Sequence, residues 1–255
     1  MSINRTKVRE QFAAYVRNYD PTDTKIALKI AHTYRVADFC DRIARSIGLN
    51  DDDADFAWLS GMLHDIGRFE QVVRYNTFID SESVDHAEFG ADLLFGEDRL
   101  ITGYSDDIEI YDMLETVIRQ HNKYRINGSV TDKTLVFCNI LRDADKVDIL
   151  RVNVETPMEE IYNVSREVLL DSGVSEKVME QVREHRAVNR DVMTTPAEHL
   201  IGHIALAFEL VYPRSREMAK EQGYLNTMFE FPSRNESMIA ALKETKRELE
   251  SYYAG

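Results

Sequence analysis

The sequence predicts an all-α protein folded as a single domain over residues 1–255. Three observations carry this expectation. Glycine and proline are scarce, at 11 and 5 in 255 residues, and few turn formers favour long helices over many short strands. Apolar residues recur at helical spacing, and no segment sustains the alternation of a strand. Turn signals are separated by helix lengths. A chain of this size can bury one sizeable core, and its apolar share of 44% is ordinary for a globular protein.

Residues 22–47 read as one long helix. Ile26, Ile30, Val36, Phe39, Ile43 and Ile47 lie roughly on one face, and Gly48 suits a stop. Asn50 can cap the next helix, with Asp51, Asp52 and Asp53 favourable in its first turn. That helix runs through Trp58, Leu59 and Met62 to about His64. Residues 76–85 read as loop, and helices are expected over 85–95, stopped at Gly96, and over 105–121. Asn127-Gly128 marks a turn before a helix over 131–150. Further helices are expected over 157–170, 175–185, 196–211 and 235–253. The last is heavily charged and reads as a solvated face.

Composition narrows the partners. The formal net charge is −14. An acidic surface argues against nucleic acid and anionic membrane as partners, but a metal can still supply local positive charge for a small phosphorylated substrate. No apolar stretch approaches the ~20 residues that span a bilayer. Residues 1–20 are mixed and charged, without the apolar region of a signal peptide. Cys40 and Cys138 lie within apolar helical patterns and read as reduced core thiols of a cytoplasmic protein.

The seven histidines are the informative feature. His64 and Asp65 are adjacent in Gly-Met-Leu-His-Asp-Ile-Gly-Arg-Phe, residues 61–69. Neighbouring side chains on a helix point about 100° apart, so the pair can share one metal only where the helix ends, which Gly67 would allow. An imidazole with a carboxylate suits manganese, iron, nickel, cobalt or zinc. His32 lies on the polar side of an otherwise core-directed helix. Asp145 lies in Leu-Arg-Asp-Ala-Asp-Lys-Val-Asp, residues 141–148, near the end of a strongly apolar helix.

In these segments, residues 22–150 resemble the HD-domain superfamily of metal-dependent phosphohydrolases. The matching features are His32 within Ala-His-Thr-Tyr-Arg-Val-Ala, the His64-Asp65 pair followed by Ile-Gly-Arg, and the Ala-Asp-Lys-Val-Asp segment. The resemblance implies a metal-binding core over about 22–150, with additional helices over 155–255 packed around it. It puts His32, His64, Asp65 and Asp145 on the metal. Asp143 and Asp148 are rivals for the last place, and otherwise surface carboxylates. His86 opens one helix and His121 closes another. Members of the superfamily with two metals show this same order of residues, which implies a second ion on His86 and His121 with Asp65 bridging the pair. The ions would be divalent (manganese, iron, nickel, cobalt, zinc or magnesium).

The implied activity is hydrolysis of a phosphate ester, in a nucleotide or another small metabolite, by a hydroxide held on the metal. Asp65 would orient it. Arg68 stands where related sequences carry a basic residue that contacts substrate phosphate, and Lys123 follows His121; Arg125 and Lys146 are weaker candidates. No residue is assigned to an organic cofactor. His185 reads as exposed, and His199 and His203 as core histidines, since position 200 is Leu and no His-Glu-x-x-His pattern forms. Two alternatives stand beside hydrolysis: a di-iron oxygenase on the same scaffold, and a non-catalytic nucleotide-binding protein. Cyclic di-guanylate hydrolysis is disfavoured, because the Gly-Tyr-Pro run is absent. Substrate selectivity or a homodimer contact would reside in the later helices.

Overall fold

The computed structural model describes residues 3–97 and 99–254, and among them every regular element is helical. The chain divides into two compact units, Met1–Asp145 and Lys146–Gly255. Among the described residues, no helix is long and apolar enough to cross a membrane.

The first unit holds α1 (Arg5–Val16), α2 (Thr24–Ser46), α3 (Asp51–Leu63), α4 (Ile66–Tyr75), α5 (His86–Phe95), α6 (Ile101–Tyr104), α7 (Tyr111–Gln120) and the first part of α8 (Asp132–Glu155). Side-chain caps start several of them. Asp23 accepts from the amides of Lys25 and Ile26 at the head of α2, Asn50 from Asp53 at α3, and Asp85 from Ala87 and Glu88 at α5. α2 and α3 pack against each other along much of their length, and α3 is buried along nearly its whole length. α4 pairs with α5, and α5 with α7. Trp58, Phe56, Phe137 and Leu59 are fully enclosed.

Three helices of this unit, α1, α4 and α6, lie where the sequence reading assigns none. α1 buries only Val8 and Phe12, so its apolar stripe is too thin to read. Its charges hold it instead: Arg5 reaches Asp55 at 2.6 Å and Asp41 at 2.5 Å, and the Arg5 and Arg9 guanidiniums lie over the Trp58 ring. α4 begins one residue after Asp65 and ends at Asn76, in the left-handed conformation.

The second unit holds the rest of α8, then α9 (Met158–Tyr162), α10 (Arg166–Asp171), α11 (Glu176–Arg183), α12 (Pro196–Ala205), α13 (Pro213–Gln222), α14 (Tyr224–Phe229) and α15 (Glu236–Ala254). The expected helix over 157–170 is in fact two, broken at Asn163, which adopts a left-handed conformation. α15 is amphipathic rather than wholly solvated: Met238, Leu242 and Leu249 are buried, while Glu244 and Glu248 pair with Arg183 and His185. His185, expected to be exposed, is half-buried and stacks on Phe208 at 5.3 Å.

Candidate metal centre

Four of the six expected ligands sit on or beside helix ends, and the other two lie within long helices. His64 is the C-cap of α3, Asp65 the N-cap of α4, His86 the first residue of α5, and His121 the C-cap of α7. His32 projects from α2 and Asp145 from α8. His64 keeps helical dihedrals, whereas Asp65, at φ −103° and ψ 16°, leaves the helix. That break lets neighbouring side chains converge.

Gly67 is not the residue that stops the helix. It lies in the first turn of α4, where a Cβ would come 2.6 Å from the His86 carbonyl and 2.7 Å from the Gly90 amide. Gly61 acts likewise between α3 and α2, where a Cβ would lie 2.6 Å from Ala37 Cα. The two glycines bring His64 to His32, and Asp65 to His86. His32 is itself buried, on the same side as Val36 and Ile43, rather than on a polar side of α2.

The side chains form two clusters that share Asp65. His32, His64 and Asp65 form one set able to hold a metal ion, and Asp65, His86 and His121 form another. Asp65 Oδ2 lies 3.4 Å from both His32 Nε2 and His64 Nε2, and Oδ1 lies 3.6 Å from His86 Nε2. Asp145 Oδ1 is 3.2 Å from His32 Nε2 and 3.8 Å from His64 Nε2. His32 and His64 approach through Nε2 at 3.3 Å, and His86 and His121 at 3.0 Å.

These rings are fixed from behind. His64 Nδ1–H donates to the Gly61 carbonyl at 2.8 Å, His121 Nδ1–H to that of Ile118 at 2.7 Å, and His86 Nδ1–H to Asp80 Oδ2 at 2.7 Å. A carbonyl or carboxylate only accepts, so the proton is on Nδ1 and Nε2 carries a lone pair when the ring is neutral. Burial pushes the pKa of His121 down to about 3, reinforced by His86 and His64. Burial, with Arg68, also lowers His86, against the pull of Asp80. His86 and His121 thus aim two lone pairs at each other, and no hydrogen bond can join them. A cation between them resolves this. Two nitrogens each about 2.1 Å from one ion, about 90–110° apart, would be separated by roughly 3.0–3.4 Å. The donor set therefore fits first-row divalent metals.

The carboxylates are prepared for positive charge. Burial alone would raise Asp65, but the Lys29 ammonium and His64 hold it well below the usual carboxylate range. Asp145 is likewise held low against burial by its hydrogen bond to His32 and by the histidines around it.

The remaining candidates fall in different places. Arg68 is buried, and its Nη1 donates to Gln71 Oε1, Phe78 O and Asp80 Oδ1 at 2.6, 2.7 and 2.8 Å. Its Nε is buried without a hydrogen bond, 3.6 Å from Asp65 Oδ1. Lys123 lies 2.8 Å from both Asp85 Oδ2 and Glu88 Oε1. Arg125 is exposed and stacks over Tyr124. Asp143 and Asp148 are fully buried, so neither is a surface carboxylate. His203 is held by Asn153 and Tyr162, away from any metal-type group among the described residues.

Three residues at the site were missed from sequence. Lys29 Nζ lies 2.6 Å from Asp65 Oδ2; it precedes His32 by three residues, a spacing that places both on one face of a helix. Asp80 backs His86 from within the expected loop. Arg142 Nη1 faces the carbonyls of Gln120 and His121 at 3.0 and 3.1 Å, closing the end of α7 on which His121 sits.

Comparison with known families agrees with this geometry. Residues 30–150 match the family model described as HD domain. The chain carries an HD domain. The match spans all six expected ligands and stops within α8. HD domains bind divalent metals and belong to a superfamily of metal-dependent phosphohydrolases. No curated protein and no solved structure matches the chain significantly.

Proposed function

We propose that this HD domain is a phosphohydrolase that works with two divalent metals and cleaves a phosphate ester of a nucleotide or another small metabolite. The observation that carries the proposal is Asp65, which turns one oxygen to the His32–His64 pair and the other to His86, beside His121. In the proposal, His32, His64 and Asp145 hold one ion, His86 and His121 hold the second, and Asp65 bridges them. When bound, such ions lower the pKa of water and screen phosphoryl oxygens.

The chain's own residues supply the rest. Asp65 lies deep enough, at 2% exposure of its side chain, to exclude bulk water from its oxygens. Lys29 and Lys123 are the positive groups we place on the substrate phosphate; each is now paired with carboxylates that a phosphate would rival. Arg68 would have to give up three oxygens to reach substrate, and we assign it to the support of the site. We place the activity in the cytoplasm, where the buried thiols of Cys40 and Cys138 stay reduced. The net charge of −14 favours a small substrate over nucleic acid.

Elemental analysis of protein purified without chelator or affinity metal, followed by a panel of nucleotides and other phosphate esters, tests the proposal. About two first-row metals per chain with phosphate or nucleotide release is the expected result. Tightly bound iron with oxygen uptake and no ester cleavage would replace it with the oxygenase alternative. Metal-free, inactive protein would point to a non-catalytic role.

A further inference from the structure

His86 differs from His64 and His121 in how its ring is held. His64 and His121 close helices, so each finds a carbonyl three residues back to accept its Nδ1–H. His86 opens α5, and a helix N-terminus presents amides rather than carbonyls. Its Nδ1–H therefore needs an acceptor from elsewhere, and Asp80 provides it at 2.7 Å. Asp80 is itself gripped from α4. Its Oδ1 accepts from Arg68 Nη1 at 2.8 Å and from Gln71 Nε2 at 3.1 Å. Gln71 is fully buried and also donates to Ser83 Oγ and the Val84 carbonyl, which ties the segment carrying Asp80 to α4.

We propose that Asp80 is the positioning residue for His86, and that Arg68 acts through Asp80 rather than on substrate. This deepens the proposed function, since it rests on His86 being a metal ligand. A carboxylate behind a metal-binding imidazole fixes its tautomer and orientation and raises its basicity. Arg68 and Gln71 hold that carboxylate in turn, so the Arg68–Asp80–His86 series makes the second half of the centre depend on a loop. The basic residue after His-Asp-Ile-Gly is thereby spent on the protein's own carboxylate.

The test is zinc binding to metal-stripped protein, followed by elemental analysis and competition with a chromophoric chelator, on wild type, Asp80→Asn and Arg68→Met. Wild type is expected to bind two zinc ions. Asp80→Asn should weaken one of them by about 10–100-fold and leave the other unchanged. Arg68→Met should shift the same ion in the same direction by less, and lower kcat more than it raises KM. Two unchanged affinities in Asp80→Asn would overturn the inference while leaving the two-metal site standing. So would Arg68→Met that raises KM with zinc binding untouched, since that outcome puts Arg68 on substrate. Should Asp80→Asn fail to fold, the Arg68→Met affinities decide alone. Wild type that binds no zinc would overturn both this inference and the proposed function.

Discussion

The two units each hold histidines in close company, yet among the described residues only those of the first unit fall into groups that could hold a metal ion. In the first unit, the Nδ1 protons of His64, His86 and His121 are turned outward to acceptors, and their Nε2 atoms converge. In the second unit, His203 Nδ1 meets Asn153 Oδ1 at 2.8 Å, and Tyr162 donates to the same oxygen at 2.6 Å. Asn153 Nδ2 donates to the Ile149 carbonyl, which fixes the amide so that Oδ1 faces the two donors. That network is closed and neutral. Both His121 and His203 have pKa values pushed down to about 3, in each case first by burial. A depressed histidine is therefore no mark of a metal site. What separates the two regions is whether the lone pairs that remain converge with a carboxylate.

The largest expected effect breaks the first region at its centre. Asp65→Asn removes the charge that serves both clusters, and should lower metal content from about two to well under one per chain. Loss of metal forfeits several kcal/mol of transition-state stabilisation, on the order of 10³-fold or more in kcat. Elemental analysis and steady-state kinetics on one preparation measure both. A variant that keeps two ions would show that Asp65 is not the bridge.

Next come the halves. His121→Ala should lose one ion and keep the other, because the His32–His64–Asp145 side shares no ligand with it except Asp65. His199→Ala and His203→Gln should leave metal content as in wild type. If His203→Gln lowers it, the distinction between the two regions fails.

Smaller still is the pH response of the second region. The His203 pKa lies near 3 in the folded chain against about 6.5 for an unfolded histidine. A depressed folded value means that the unfolded state takes up the proton first as pH falls. The stability is thus whole above pH 6.5, and is lost progressively from there toward pH 3. One such group costs on the order of 1 kcal/mol by about pH 5.5. Denaturant titrations at pH 7.5 and 5.5 should show a smaller pH-dependent loss in His203→Gln than in wild type. Equal losses would mean that His203 accepts its proton within the fold.

How much of this could be read from the sequence follows the same divide. The all-helical class and the start of α3 were legible, because Asn50 is a local cap, and the helix expected over 85–95 is α5 to within a residue. The six expected ligands were legible as residue types in order, and the fold brings all six to one place. Their support was not. Asp80 sits in a loop whose pattern says nothing of its partners, and Arg142 closes α7 from 22 residues away in sequence. Gly67 could be read as a helix stop because sequence does not display the α4–α5 approach that forbids a Cβ there. α1 stayed hidden because ion pairs and cation–π contacts, rather than an apolar stripe, hold it. Arg68 and Lys123 could be placed near the ligands, but sequence could not show that carboxylates of the protein already engage them.

Lys29 offers the finest test of the first region. Its ammonium is 2.6 Å from Asp65 Oδ2, the oxygen that faces His32 and His64, so it competes with any ion bound there. It is also the leading charge that keeps Asp65 ionised against burial. Lys29→Met removes a rival cation and should tighten metal binding on that side by a few-fold, because the ammonium no longer occupies Asp65 Oδ2. It should at the same time lower kcat/KM for phosphorylated substrates, because a positive group beside the centre is lost. The two effects oppose each other only if Lys29 serves both the empty carboxylate and the bound anion. Tighter metal binding with kcat/KM unchanged would confine Lys29 to guarding Asp65, and would leave Lys123 as the positive group on the phosphate.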